Sequence, residues 1–267
     1  MITWKQRKYG ILAISLFMLT FLVIGYSHAA RIDIDTIEFA YLFDEGDGTT
    51  AKDASKNGHD GTITGTTYVK GVFGMALEFD GVDDKIITGN YTGVGGTEPR
   101  TTVFWFKANA TIDHSWVKWG QNTGGRKYYI RAHPSGNQCF LRVEVNGGQS
   151  YGSDDVCDGE WHHCAVVFPE GSDSVKDHVL YVDGKLQPAP QGTDKDMDTN
   201  GDFVQVNIGS RLTGHKFLSG LMDEVAIFNI ALSQRDIEVL HAHGLQSALG
   251  VDPQDKLATT WAVMKKY

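Results

Sequence analysis

The stretch Gly220-Leu-Met-Asp-Glu-Val-Ala-Ile-Phe-Asn-Ile-Ala-Leu-Ser233 places two acids inside an otherwise apolar strand. Alternation puts Leu221, Asp223, Val225 and Ile227 on one face and Met222, Glu224, Ala226 and Phe228 on the other. Both faces are mostly apolar, which predicts a strand covered on both sides in a layered structure. A carboxylate buried there is costly unless it is hydrogen-bonded, ion-paired or bound to a cation, so Asp223 requires a partner.

Working outward, the upstream chain has the rhythm of a sandwich. Ile37 to Phe43, Ala76 to Phe79, Lys85 to Thr88, Thr101 to Lys107, Ser115 to Trp119, Lys127 to Ala132, Cys139 to Val145, His162 to Phe168, Val179 to Val182 and Val204 to Ile208 read as short strands. Gly, Asp and Asn turns separate them, and Asp183-Gly184 marks a hairpin. After Ser233 the pattern changes to a short amphipathic helix, with Ser233 as N-cap and Gly244 as its stop. With 31 glycines against 6 prolines, tight turns rather than Pro-rich linkers connect these elements.

Residues 1–29 have the parts of a secretory signal: Lys5, Arg7 and Lys8, an apolar run from Ile11 to Ile24, then small Ser27 and Ala29. Cleavage after Ala29 leaves no membrane span; an uncleaved anchor is the alternative, with an apolar run short for the ~20 residues a span needs. Either way the remainder is expected outside the cytoplasm, secreted or in the cell envelope. Cleavage removes three cations and no acid, moving the net charge from −9 to −12. No Lys/Arg cluster after residue 30 is apparent along the sequence, which argues against nucleic acid and favours calcium or neutral ligands such as sugars.

An oxidising compartment permits disulfides, and three cysteines allow one bridge within the chain. Folding the Cys139–Val145 strand back about Gly148 sets Cys139 opposite Cys157; pairing of Cys139 with Cys164 remains the alternative. Asp53-Ala-Ser-Lys-Asn57-Gly58-His59-Asp60-Gly61 is a polar loop whose oxygens and glycines suit wrapping of a hard cation. Asx-rich turns of this kind also form without binding anything.

Five fragments in order carry a family likeness: Tyr41-Leu-Phe-Asp-Glu-Gly-Asp-Gly-Thr-Thr-Ala-Lys-Asp53, Phe79-Asp-Gly-Val-Asp-Asp84, Asp158-Gly-Glu-Trp-His-His163, Leu180-Tyr-Val-Asp-Gly184 and Gly220 to Ser233. Together they resemble the laminin-G-like domains of the concanavalin A-like lectin/glucanase superfamily, as found in secreted bacterial proteins. The likeness covers about residues 37–244, leaving 245–267 as a C-terminal tail. It implies an all-β, two-sheet antiparallel jelly-roll sandwich with a short C-terminal helix after the last strand. It also implies a structural calcium tying the loop after the first strand to the last strand. The ligands it implies are Asp53, Asn57, Asp60 and a carbonyl near Gly58, with Asp223 from the closing strand. A single disulfide is likewise common in the family.

Other constellations compete with bland readings. Asp196-Met-Asp198-Thr-Asn200-Gly-Asp202 opens like an EF-hand calcium loop, but its twelfth position is Asn207 rather than Glu and strands flank it. His162 and His163 are adjacent on a strand and so face opposite ways, which suits structure better than a shared metal. No carboxylate dyad emerges: Arg31-Ile-Asp33-Ile-Asp35 precedes the first strand, and Asp223 and Glu224 point apart. Trp116, Trp119, Tyr128, Tyr129 and Tyr151 are candidate stacking platforms for sugars, or else packing residues. The sequence thus predicts a secreted, calcium-stabilised, non-catalytic binding domain for a carbohydrate or an extracellular protein. A glycoside hydrolase on the same fold and a purely adhesive domain are the alternatives.

Overall fold

β-branched and aromatic runs punctuated by glycine turns become strands in this computed structural model, which describes residues 32–188, 190–199, 204–211 and 216–249. In chain order the first eight are β1 (Ile37–Tyr41), β2 (Thr50–Ala51), β3 (Gly61–Thr64), β4 (Thr67–Lys70), β5 (Met75–Asp80), β6 (Lys85–Thr88), β7 (Arg100–Lys107) and β8 (Ser115–Gly120). Then follow β9 (Lys127–Ser135), β10 (Gln138–Val145), β11 (Gly148–Asp155), β12 (His162–Phe168), β13 (Val179–Val182), β14 (Lys185–Leu186), β15 (Asn207–Ile208) and β16 (Ser219–Phe228). They form two antiparallel sheets: β14-β13-β12-β7-β16-β5-β4, with β1 also on β16, and β11-β10-β9-β8-β15-β6-β3-β2. The fold is therefore the all-β two-sheet sandwich expected, with its short C-terminal helix. The expected signal segment 1–29 lies outside the described residues, as does the tail beyond Leu249.

The main core lies between the sheets and includes Phe39, Tyr41, Phe104, Phe106, Trp116 and Trp119. A second apolar layer covers the outer face of the first sheet beneath two helices, α1 (Gln234–His243) and α2 (Gln246–Leu249). Ser233 and Asp236 form a capping box at the start of α1, and Gly244 (φ 71°) ends it. Leu245, Ala248 and Leu249 are buried in this layer, so packing continues beyond Gly244.

Strict alternation fails in β16. The register against β7 shifts between Asp223 and Ala226, and Glu224 takes a left-handed conformation (φ 47°). The bulge puts Met222, Val225 and Ile227 in the inter-sheet core, with Ala226 and Phe228 on the helix side. It is also where β16 changes neighbours, pairing with β5 through Met222 and with β1 from Val225 onward. Asp223 Oδ2 accepts from Val72 N–H (2.9 Å) and Phe73 N–H (3.1 Å) in the β4–β5 turn. Glu224 Oε2 accepts from Leu245 N–H (2.8 Å), just past α1. Asp223 thus finds its partner in the backbone.

The β10–β11 hairpin also departs from simple folding about Gly148. Val145 pairs with Gly148 across Asn146-Gly147, and a bulge then shifts the register between Phe140 and Arg142. Cys139 and Cys157 are bonded across this offset, with Cα atoms 5.7 Å apart, while Cys164 is a buried free thiol. Asp155 Oδ1 accepts from both Cys139 N–H and Cys157 N–H (3.0 Å each) and braces the bridge. Sequence reading passed over β2, β3 and β4, which are short, while the hairpin at Asp183-Gly184 forms between β13 and β14.

Burial, with a smaller contribution from Asp44, raises the Asp223 carboxyl to about 7 against the opposing effect of its backbone donors. An acid whose folded pKa lies above its unfolded one gives stability that is full below the unfolded value and lost as pH rises through the folded one. We predict that the domain loses roughly 4 kcal/mol from this group between pH 4 and pH 8. Asp223→Asn should flatten that slope in urea unfolding across the pH range; an unchanged slope would remove Asp223 as its source.

Candidate functional site

The loop after β1 is laced to the protein by its own donors. Asp53 Oδ1 accepts from Ala40 N–H (3.0 Å) and Ser55 N–H (2.9 Å), and Oδ2 from His59 N–H and Ser55 Oγ–H (2.8 Å each). Asn57 Nδ2 donates to the carbonyls of Ile37 (2.9 Å) and Glu38 (3.0 Å). Asp60 accepts from Asp53 N–H (2.9 Å) and from the Lys52 ammonium (2.6 Å), which holds its carboxyl below the usual range. Calcium needs six to eight oxygens turned toward it. Here N–H and ammonium donors take the carboxylates of Asp53 and Asp60, and Asp223 sits on the β4–β5 turn instead. Asp53, Asn57, Asp60 and Asp223, the expected ligands of one ion, each have protein partners in this structure.

In the second acidic segment, Asn200 and Asp202 lie outside the described residues. Asp196 and Asp198 are exposed on an extended stretch, pinned by Met197 N–H to Asp173 O (2.7 Å) and Asp198 N–H to Gly125 O (3.0 Å). Met197 is buried between the two acids. Among the described residues, one trio of acids does converge: Asp80, Asp83 and Asp84 each offer an oxygen within 4.8 Å of the others. Burial, then the neighbouring carboxylates against a backbone bond, raises the Asp84 carboxyl. This turn can hold a divalent cation; the signal available in sequence was Asp80-Gly-Val-Asp83-Asp84, read there only as a family fragment.

The two histidines of β12 point apart. His162 bonds Asp183 (2.9 Å) and Asp158 (3.0 Å), and chiefly the Asp183 bond raises it to about 9. His163 packs on Trp105 and His241, where burial pushes it down to about 3. Trp116, Trp119 and Tyr128 belong to the inter-sheet core, which disposes of three candidate platforms. Tyr129 and Tyr151 sit instead on the outer face of the second sheet.

That face carries the densest polar chemistry among the described residues. Alternation on β9 turns Lys127, Tyr129, Arg131 and His133 outward while Tyr128, Ile130 and Ala132 enter the core. Arg142 and Glu144 of β10 lie beside them, opposite Arg131 and Tyr129. Glu144 pairs with Arg131 and Arg142 (2.9 Å each) and with Lys127; Asp113 pairs with Arg131 and Lys216. Burial outweighed by these cations leaves the Glu144 carboxyl lowered. Lys118 and Lys127 lie within 5.8 and 5.5 Å of the Tyr129 ring centroid and Arg131 within 5.0 Å. Tyr151 stacks on His133 at 4.1 Å, and Arg142 Nη1 contacts His133 Nδ1 and Gln149 Oε1 (3.1 Å each). A cavity of about 340 Å³ opens at the hairpin end, lined by Glu144, Val145, Gly147, Gly148, Gln149 and Thr193. Sequence reading missed this cluster because its cations are dispersed along the chain and meet only when strands pair. A smaller cavity of about 310 Å³ lies elsewhere, lined by Glu38, Tyr91, Gly93, Val94, Glu98 and Asn229.

A laminin G family model described as concanavalin A-like lectin/glucanases superfamily matches residues 80–238. The chain belongs to that superfamily. Among solved structures it is similar to domain 4 of AbnA, a GH43 extracellular arabinanase from Geobacillus stearothermophilus, in complex with arabinotriose. Identity there is 21% and TM-score 0.56, covering 77% of this chain and 98% of that one. The binding domain of Paraclostridial Mosquitocidal Protein 1 is similar at 14% identity and TM-score 0.51, with 78% and 52% covered. A mutant of Trypanosoma rangeli sialidase displaying trans-sialidase activity gives 14% and 0.56, with 83% and 35% covered. The chain thus spans about half of the toxin binding domain and a third of the sialidase chain, and these likenesses establish the fold. No curated protein sequence matches it. Among the described residues no helix is long and apolar enough to cross a membrane.

Since protein donors close the first loop, Asp53→Ala should lower the melting temperature equally in calcium and in chelator, by the equivalent of about 2–4 kcal/mol. Any calcium-dependent rise should persist in that variant and vanish in Asp83→Asn. A rise abolished by Asp53→Ala but not by Asp83→Asn would return the ion to the first loop.

Proposed function

We propose that the chain acts outside the cytoplasm as a non-catalytic oligosaccharide-binding domain, using the outer face of the second sheet. The observation that carries this reading is the 340 Å³ cavity bordered by Glu144 and Gln149, beside the stacked Tyr151–His133 pair. Its volume falls in the range of small-ligand sites, and planar rings next to bidentate polar groups suit the faces and hydroxyls of a sugar. Placement on paired strands gives those groups a fixed geometry. The Cys139–Cys157 bridge fits an oxidising compartment, and the similar arabinanase domain is described as holding arabinotriose.

A binding role is favoured over hydrolysis by the state of the acids on this face. A glycosidase ordinarily needs two carboxyl groups disposed across the scissile bond, one of them able to donate a proton. Glu144 is bound by three cations, which favour its charged form over a proton donor, and Asp113 is paired with Arg131 and Lys216. Calcium, on this reading, belongs to the Asp80, Asp83 and Asp84 turn and serves stability.

Titration calorimetry of the full chain against a panel of plant and microbial oligosaccharides should give saturable binding with no release of reducing ends. Tyr151→Ala and Gln149→Ala should each weaken it about tenfold, near 1.4 kcal/mol, with little change in melting temperature. Binding unaffected by both substitutions would place the ligand elsewhere, and product release would make the domain an enzyme.

A further inference from the structure

Another group of polar residues gathers at one end of the sandwich, where the chain crosses from β6 in the second sheet to β7 in the first. The cavity of about 310 Å³ there is bounded by Glu38 of β1, by Tyr91, Gly93, Val94 and Glu98 of the crossing loop, and by Asn229 just after β16. Its size falls within the range of small-ligand sites. The wall is held from behind. Arg100 is fully buried and spends all five N–H donors, on the carbonyls of Val94, Gly95, Gly96 and Glu98 and on Thr199 Oγ1. It therefore shapes the loop without pairing with either acid.

Tyr91 is 8% exposed, its carbonyl accepts from Thr88 Oγ1–H (2.9 Å) and Val206 N–H (3.0 Å), and its ring meets His59 at 5.1 Å and Phe39 at 5.8 Å. Its hydroxyl alone is left over, buried with no hydrogen-bond partner. A phenylalanine would fill the same place without that cost. Burial first, and then the charge of Glu38, raises the phenol well above its ordinary value, so it stays a neutral hydroxyl with the Glu38 carboxylate near enough to act on it. Glu38 and Glu98 carry the charge of the wall. Among the described residues neither is in an ion pair, and Asn229 Nδ2 donates to Glu38 Oε1 (2.7 Å), which leaves Oε2 available.

We propose that this cavity binds the primary ammonium group of a small organic ligand, with Tyr91 Oη, Glu38 and Glu98 as its three acceptors. An ammonium has three N–H donors and no acceptor, which matches that set. Water would partner the hydroxyl but leave the charge of the two acids unanswered. Calcium takes six to eight oxygens, and no third acid lines this wall. Gly93 and Val94 border the ligand's apolar stem. The site is separate from the oligosaccharide-binding face, and the inference stands or falls independently of that reading.

The test is titration calorimetry on the full chain with cadaverine, Nα-acetyl-lysine amide, choline, pentan-1-ol and calcium chloride. At least one of the two primary amines should bind saturably, tenfold or more tightly than choline, a cation without N–H donors, and than the neutral alcohol. The amine preferred tells a free diamine from a lysine side chain. Tyr91→Phe should weaken that amine about tenfold while leaving the melting temperature equal or higher. Glu98→Gln, at an exposed position, should weaken it about as much and carries the test if Tyr91→Phe folds poorly. Failure of both amines to bind, or binding that either folded variant leaves unchanged, overturns the proposal. Choline bound as tightly as the amines would mark a general cation site, and calcium binding lost in Glu98→Gln would mark a metal site; either result overturns the ammonium assignment.

Discussion

The sandwich depends on a fork in its first sheet. At Asp223 and Glu224 the strand β16 leaves β5 and takes β1 as its neighbour, and a fork of this kind strands backbone donors near the junction. The two carboxylates absorb them. Asp223 takes Val72 and Phe73 from the β4–β5 turn, and Glu224 takes Leu245 beyond α1. The approach is close: a Cβ on Gly71 would stand 2.3 Å from Asp223 Oδ2, and one on Gly244 2.7 Å from Glu224 Oε2. A glycine at each place lets a buried acid reach the main chain, so strand, turn and helix end are fixed by one dipeptide.

This junction assigns different duties to the two outer faces. Glu224 draws the chain past α1 against the first sheet, and the apolar layer under α1 and α2 closes that face. The outer face of the second sheet keeps its polar side chains, supported from beneath by Trp116, Trp119, Tyr128 and Ile130. Rigid strands over a dense aromatic core hold the cations at spacings that flexible loops could not maintain. One outer face is closed by apolar packing, and the other keeps its polar side chains.

The fold was legible from five short fragments because each encodes a local rule. Asp183-Gly184 makes its hairpin with both residues at positive φ, and Ser233 with Asp236 starts the helix where the spacing placed it. Asp223 was recognisable as a buried acid in need of a partner, but its partner lies some 150 residues away in sequence and is backbone, which leaves no compositional trace. The bulge at Glu224 was hidden for a related reason, since nothing in the order of side chains announces a left-handed residue there. The cation-rich face was invisible because Lys118, Arg131, Arg142 and Arg211 stand far apart along the chain and converge through pairing of β8, β9, β10 and β15. Charge counted along the sequence gave an acidic protein; charge counted by sheet face gives one cation-rich face.

The central claim is that recognition takes place on the outer face of the second sheet. The most direct measurement is residue-resolved NMR of the full chain during titration with an oligosaccharide that calorimetry shows to bind. The account predicts the largest shifts at Tyr129, Arg142, Gln149 and Tyr151. Shifts confined to the cavity of Glu38, Tyr91 and Glu98, with the second sheet unmoved, would contradict it.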